Sequence, residues 1–394
     1  MKIFVLVSRV PYPLEKGDKL RAYHQVRELS KHHEIMLCCL SDQKIDPEAL
    51  AHLRSFCARV EVVQLKKWRI ALRMVLGIFS SRPLQVHYFF QRAAARMVDS
   101  HIQTFYPDHI YCQLIRCSEY VKNMHHVPKT LDYMDAFNKG MERLAEQSGF
   151  FLRTLWHMEA RRLARYENLI FDYFDHHTII SQQDQQLIHH PKRQTIAIIP
   201  NGVDTTFFAP QHTEKQFDVV FTGNMSYPPN IDTAELLVHE VMPVVWKTYP
   251  NATLLIAGAS PHPRVSALEK KEQVTVSGWL DDIRSAYSQG KIFAAPLRIG
   301  TGLQNKLLEA MSLELPCITT ALANNALGAQ PNREILVEES TEAMGRQIVH
   351  LLNAPDEAAQ LAKYGREFVI QNFAWITAVE KLTNLMNSKR EGLL

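Results

Sequence analysis

The sequence predicts an α/β protein of two doubly wound parallel-sheet domains facing a shared cleft. Three observations lead there. Short continuous apolar runs alternate with amphipathic stretches, the pattern of strands buried on both faces between covering helices. The alternation runs through residues 1–200 and then restarts. The length of 394 residues also exceeds one ordinary core, since domains hold roughly 100–200 residues each.

Residues 2–8 (KIFVLVS) read as a first buried strand. A loop with Pro11, Pro13 and Gly17 follows, and Asp18, a favoured N-cap, opens the helical stretch KLRAYHQVRELSKH. Next come a strand at 34–40, a helix near 47–57, a strand at 59–65 and helical segments over 68–105. Strands at 108–113 and 129–134, a long helix over about 141–171 and a strand at 177–180 complete the pattern. After a strand at 195–200, Asn201-Gly202-Val203-Asp204 is turn chemistry, which places the domain boundary between 200 and 201. The second domain, 201–373, reads as strands at 217–222, 252–257, 273–276, 291–295, 316–320 and 334–337. Helices at 230–247, 281–289, 303–313, 341–353 and 356–371 lie among them, and a closing region, 374–394, holds an amphipathic helix at 375–388.

A content of 46% hydrophobic and 22% charged residues excludes a disordered chain. The net charge of +3 hides an asymmetry: residues 1–200 carry 28 Lys and Arg against 20 Asp and Glu, and residues 201–394 carry 16 against 21. A basic half attracts phosphate, an anionic membrane or nucleic acid, unless it is simply a mildly basic surface. The basic residues are dispersed and no recognised motif occurs, which argues against nucleic acid. The six cysteines form no C-x-x-C pair and most sit in apolar runs, as buried free thiols do in a reducing cytoplasm. The N-terminal apolar run is too short for a signal peptide. No window approaches the ~18 apolar residues of a membrane span, so any membrane contact is expected to be peripheral.

The most informative stretch is 294–312, AAPLRIGTGLQNKLLEAMS. A strand ends at Leu297, a loop holds Arg298, Gly300, Thr301 and Gly302, and a helix begins near Leu303 with Lys306 and Glu309 on its first turns. Glycines let backbone approach a ligand, and a helix N-terminus offers unpaired N–H groups to an anion. With Arg298 and Lys306 these features describe a diphosphate site, and Glu309 can accept hydrogen bonds from ribose hydroxyls. The alternative is a plain strand–loop–helix with surface charges. The stretch is neither a dinucleotide fingerprint nor a P-loop.

GTGLQNKLLEAMSLELP closely resembles the donor-binding motif of retaining glycosyltransferases of the GT-B fold, family 4. KGDKLRAYHQVRELSKHHEI, IPNGVDTTFF, FTGNMSYPPNIDTAELL, VSGWLDDI and the helix after Phe373-Ala374-Trp375 agree in order. The resemblance covers nearly the whole chain and points to the bacterial exopolysaccharide and exosortase-associated subgroup. It implies two Rossmann-like domains, with a nucleotide-sugar donor held by the second and the acceptor by the first. It implies a closing helix that crosses back onto the first domain, retention of anomeric configuration and no required metal or cofactor. It implies a glycan or polyprenyl-linked acceptor, with peripheral contact at an anionic inner leaflet. The chain contains no D-x-D, so the leaving diphosphate is expected to be neutralised by cations and helix N-termini.

Two departures matter. Relatives often carry two glutamates eight positions apart; here Glu309 is the second and Thr301 stands at the first. Relatives also place an Arg and a Lys in the loop after the first strand of the second domain. Here that loop, from Gly223 and Asn224 to Asn230, has no cation, and Arg298 and Lys306 are expected to supply the charge. The resemblance puts Lys16-Gly17-Asp18 at the diphosphate, with Arg21 and His24 on the following helix able to point toward the cleft; a helix-surface histidine is the plain reading of His24. Asp135, after the 129–134 strand, is a candidate for helping the acceptor hydroxyl lose its proton, or a helix cap. Trp279 sits where relatives contact the base, although a core tryptophan is the plainer reading. Residues 66–79 (KKWRIALRMVLGIF) have the composition of a helix lying on an anionic membrane or of a packed helix with a basic edge. Two other functions remain compatible: a nucleotide-sugar epimerase of the same fold, and a non-catalytic scaffold in a glycan-assembly complex.

Overall fold

The computed structural model describes residues 1–14, 17–146, 149–211, 213–299 and 302–388, with the side chains of 139, 140, 143, 144, 146, 150 and 151 left undescribed. Lys16, Gly300 and Thr301 therefore lie outside the described residues. The chain forms two compact units, one of Met1–Asn201 with the segment from Ala378 onward, the other of Gly202–Thr377. The final helix, Trp375–Asn387, begins in the second unit and continues in the first.

The first unit holds β1 (Lys2–Val7), β2 (Glu34–Ser41), β3 (Arg59–Gln64), β4 (His109–Gln113), β5 (Lys129–Met134), β6 (His176–Ile179) and β7 (Ala197–Ile198). They make one parallel sheet in the order β3-β2-β1-β4-β5-β6-β7. Residues Ile3–Leu6 of β1 are fully buried, as a strand covered on both faces requires. The second unit holds β8 (Phe217–Thr222), β9 (Leu254–Ala257), β10 (Val274–Gly278), β11 (Gly290–Ala295), β12 (Cys317–Thr319) and β13 (Leu336–Val337), again parallel, in the order β10-β9-β8-β11-β12-β13. All six cysteines are buried free thiols.

Several helix boundaries differ from expectation for local reasons. The first helix runs Gly17–Leu29, so Asp18 lies in its first turn, where it accepts from Arg9 at 2.9 Å. The 68–105 stretch is three helices, Lys67–Ile78, Leu84–Phe89 and Arg92–Phe105, separated by Pro83 and by extended backbone at Phe90 and Gln91. The 141–171 stretch is two helices, Phe137–Glu146 and Phe150–Phe171, the second capped by Gly149 in extended conformation.

One buried ion pair joins four segments of the first unit. Arg21, expected at the donor, has no exposed surface. Its Nε and Nη2 donate to the two Asp132 oxygens at 2.7 and 3.0 Å. Its Nη1 donates to the Ile199 carbonyl at 2.9 Å and to Asn201 Oδ1 at 3.1 Å. Thr178 Oγ1 donates to Asp132 Oδ1 at 2.7 Å. The helix, β5, β6 and the chain leaving the unit are thus tied to one guanidinium. On the other side of that exit, Gly202 belongs to the second unit. A Cβ there would stand 2.8 Å from the Trp375 ring and 2.9 Å from the Phe373 carbonyl, so no larger residue fits.

Removing one member of a fully buried pair leaves the other charged and unsolvated, at a cost of about 3–5 kcal/mol. Asp132→Ala is therefore expected to lower stability by that order in urea unfolding. The double variant Arg21→Met/Asp132→Leu should recover most of the loss.

Candidate functional site

Both sheets reverse strand order once, between β1 and β4 in the first unit and between β8 and β11 in the second. At such a reversal the connections leave on opposite faces, and a crevice opens beyond the carboxyl ends of the two strands.

In the second unit, the crevice is bordered by the loop after β8 and the segment after β11. The helix following β11 runs Asn305–Ser312, two residues later than expected, and its Gln304 cap makes no side-chain capping bond. Its first N–H groups therefore take no bond from the side chain of that cap. Lys306 Nζ bonds Asn230 Oδ1 and lies 4.7 Å from the centre of the Phe221 ring. A Cβ on Gly223 would sit 3.2 Å from the same Nζ. The lysine on the second crevice wall therefore reaches the cation-free loop on the first. Burial, the larger effect, pushes Lys306 down to about 8, with Glu309 acting in the opposite direction.

Glu309 is held by a residue that the sequence did not single out. Thr222 Oγ1 donates to Tyr287 Oη at 2.6 Å, and Tyr287 Oη donates to Glu309 Oε2 at 2.7 Å. Burial raises the Glu309 carboxyl above its ordinary range, while the Tyr287 bond and Lys306 pull it back. Gly258 and Asn230 were also missed. A Cβ at Gly258, whose φ is +143°, would lie 1.7 Å from the Gly223 carbonyl oxygen, so only glycine lets the loops after β8 and β9 pack. Asn230 Nδ2 donates to the Asn224 carbonyl at 2.8 Å while its Oδ1 takes the Lys306 bond. A tyrosine, a glycine and an asparagine with no mutual spacing carry no signal until the sheet brings them together.

Other expected residues take different places. Asn224 is exposed, and its Oδ1 accepts from Ser226 N and Oγ at 3.0 and 2.7 Å, closing its own turn. Arg298 is half-exposed and pairs with Glu240 at 3.2 Å, so its charge is already met at the surface. Leu303 packs partly against the core, and Gly302 is exposed with open space where a Cβ would stand. Trp279, next to the end of β10, is 72% exposed, which removes the core reading.

In the first unit, Arg9 follows β1 and Arg116 follows β4 at the strand reversal. Gly17 would accept a Cβ in ordinary contact, 3.7 Å from Met134 Cε. His24 is buried, edge-on to Tyr23 at 5.1 Å, and is not on the helix surface. Asp135 is held at about 6 by burial, with Asp184 adding to the rise, and its Oδ1 has no partner among the described residues. Leu114 and Met134, at the carboxyl ends of β4 and β5, have φ of 69° and 66°. Such values are unfavourable for side chains of this kind and gather where a site constrains the backbone.

Residues 216–354 match the family model described as Glycosyl transferases group 1. This segment is a glycosyl transferases group 1 domain. It contains Lys306, Glu309, Tyr287 and both loops that Gly258 lets pack. An uncharacterized 44.6 kDa protein in the cps region of Klebsiella pneumoniae is 22% identical over 399 residues, which cover 94% of this chain and 96% of that protein. The GDP-mannose-dependent monoacylated alpha-(1-6)-phosphatidylinositol monomannoside mannosyltransferase of Corynebacterium glutamicum is 27% identical over 223 residues, 51% of this chain and 57% of that enzyme. Anabaena Alr3699/HepE, solved in complex with UDP, superposes with a TM-score of 0.66 at 13% identity, covering 99% of this chain and 100% of that one. WaaG, a glycosyltransferase involved in lipopolysaccharide biosynthesis, superposes with a TM-score of 0.62 at 14% identity, covering 99% and 100%. The group 1 domain and the parallel-sheet unit before it together have the GT-B fold.

Gly258→Ala is expected to drive the loop after β9 off the Gly223 carbonyl and so displace Asn230 from Lys306. Strained or overpacked substitutions cost about 1–3 kcal/mol. A melting temperature lowered accordingly checks this, and an unchanged melting curve contradicts it.

Proposed function

We propose that this protein transfers a sugar from a UDP- or GDP-sugar to a glycan or polyprenyl-linked acceptor, with retention of anomeric configuration and without a metal. The observation that carries this reading is the meeting of Lys306 and the uncapped N-terminus of helix Asn305–Ser312 at the strand reversal of the group 1 domain. A diphosphate leaving group needs positive charge as its bond to the sugar breaks. A fixed ammonium and aligned N–H groups supply it where water is scarce. Glu309, oriented by Tyr287, is suited to accept from ribose hydroxyls, and the exposed face of Trp279 is suited to stack on the base. Retention fits a mechanism in which the donor's own phosphate takes the acceptor proton. In this reading Asp135, raised to about 6 by burial, assists that proton transfer. Both bases stay in the reading because one relative is GDP-mannose-dependent and HepE was solved with UDP.

The same reading has the protein work from the cytoplasm at the inner leaflet. No described helix is long and apolar enough to cross a membrane. Helix Lys67–Ile78 packs Ile70 and Gly77 inward and leaves a second apolar face outward. Trp68, Leu72, Val75 and Leu76, with Phe79 just beyond, are 53–89% exposed, and Lys66, Lys67 and Arg69 lie among them. Exposed aromatic and aliphatic groups next to basic ones suit an anionic bilayer surface.

Calorimetric titration with UDP and GDP tests the donor site. One of them is expected to bind without added metal, and Lys306→Ala is expected to lower turnover with the matching sugar nucleotide by orders of magnitude. The free enzyme loses the Lys306 proton as pH rises through about 8, so affinity should fall above that pH, approaching about tenfold per unit. Lys306→Ala should lack this limb; wild-type activity in that variant would sink the assignment. In vesicle flotation with phosphatidylglycerol, Leu72→Ser/Leu76→Ser should release the protein at low salt, and no wild-type flotation would refute the docking.

A further inference from the structure

The first unit contains a cleft of about 530 Å³, within the range of small-molecule sites, roughly 300–1,000 Å³. Its walls are apolar: Met74 and Ile78 of helix Lys67–Ile78, Leu84 and Phe89 of helix Leu84–Phe89, and Met141 and Leu155 of the two helices after β5. Three charged residues also border it, Arg9, Arg116 and Glu159.

Arg116 is the unusual member. Its side chain is 91% buried by its 9% exposure, yet no carboxylate bonds it among the described residues, and its Nε has no hydrogen-bond partner there. The guanidinium lies 5.2 Å from the Phe89 ring centre and 5.0 Å from that of Phe137. Aromatic faces hold a cation in place without neutralising it. Arg9 adds a second positive charge, offset by Asp18 at 2.9 Å, and Asp135 is the other carboxylate acting on Arg116. These cations follow β1 and β4, the two strands at the reversal of this sheet, so the charged end of the cleft opens where a ligand is expected. Glu159 is held on the opposite side by helix Leu84–Phe89. Its Oε1 accepts from Leu84 N at 2.7 Å, its Oε2 is buried with no partner among the described residues, and burial raises its carboxyl above the ordinary value.

An apolar channel ending in a buried cation that no carboxylate bonds among the described residues matches an amphiphile with a hydrocarbon chain and an anionic head. We propose that this cleft binds one lipid phosphate, with its chain between helix Lys67–Ile78 and the helices after β5 and its phosphate on Arg116. The inference rests on the lipid-linked branch of the acceptor reading above and locates that acceptor. A sugar carried on the phosphate then lies at the carboxyl ends of β4 and β5, the strands followed by Arg116 and Asp135. Val75 and Ile78 border the cleft and are also exposed on the helix face assigned to the bilayer, so the chain can pass between the two without crossing water.

Calorimetry with dodecyl phosphate below its micelle concentration tests the site, with dodecyl maltoside and inorganic phosphate as comparators. Hydrogen bonds to charged groups contribute about 1.5–3 kcal/mol, so dodecyl phosphate should bind at least about tenfold more tightly than either comparator. Arg116→Met should remove that preference while leaving dodecyl maltoside binding nearly unchanged. Ile78→Glu, at a half-exposed position that folding tolerates, should weaken dodecyl phosphate at least about tenfold by placing a charge in the chain's path. Trp68→Ser, on the outer face of the same helix, should change nothing. Equal binding of the two detergents, insensitivity to Ile78→Glu, or a loss in Trp68→Ser matching that in Ile78→Glu would each overturn the proposal. UDP and GDP titrations on the same samples separate the two readings. Nucleotide binding without alkyl phosphate binding refutes the cleft alone, and the converse refutes the donor site alone.

Discussion

A parallel sheet that reverses its strand order cannot close over its own carboxyl edge. On either side of the reversal the chain departs to opposite faces, and the two strand ends stand apart with their loops unpaired. Each unit of this protein is built around one such edge. In the first unit it lies beyond β1 and β4, and in the second beyond β8 and β11. Arg9, Arg116 and Asp135 follow strands of the first sheet, and Lys306 and Glu309 lie on the helix after β11 of the second.

The two buried arginines of the first unit show how environment assigns roles to identical side chains. Arg21 has both faces of a carboxylate, a carbonyl and an amide oxygen within bonding distance, so its charge is spent on joining segments. Arg116 lies between two aromatic rings and has no carboxylate bonded among the described residues. Burial disfavours an unpaired charge by several kcal/mol or more, a cost that a structural arginine avoids and a binding arginine recovers from its ligand. The same contrast separates Lys306, pushed down to about 8 by burial, from Arg298, which pairs with Glu240 at the surface.

In the second unit, positioning depends on residues with no chemistry of their own. Tyr287 has its hydroxyl bonded on both sides, so it aims Glu309, and its ring packs in the core near Phe293. Gly258 contributes an absence, a missing Cβ that allows one loop to lie on the carbonyl of another. The sugar-transfer reading rests on this scaffold as much as on the lysine and glutamate that it orients.

The parallel α/β class, the restart near residue 200, most strands in chain order and the pairing of Lys306 with Glu309 on one helix were legible in the sequence. All of these follow from local apolar runs or from neighbours in one motif. The breaks within 68–105 and 141–171 were not, because a helical period continues across a turn whose position depends on packing. The fates of Arg21, Arg298 and Trp279 were also undecided. A charged or aromatic side chain on an amphipathic segment carries no mark of whether tertiary contacts will bury it, pair it or leave it exposed. Asp132 meets Arg21 across 111 positions, and Asn230 meets Lys306 across 76. The sequence by itself determined which strands and helices form, through the periodicity of apolar residues. The tertiary structure alone decided which charges are neutralised and which stay available, since that depends on partners distant in the chain.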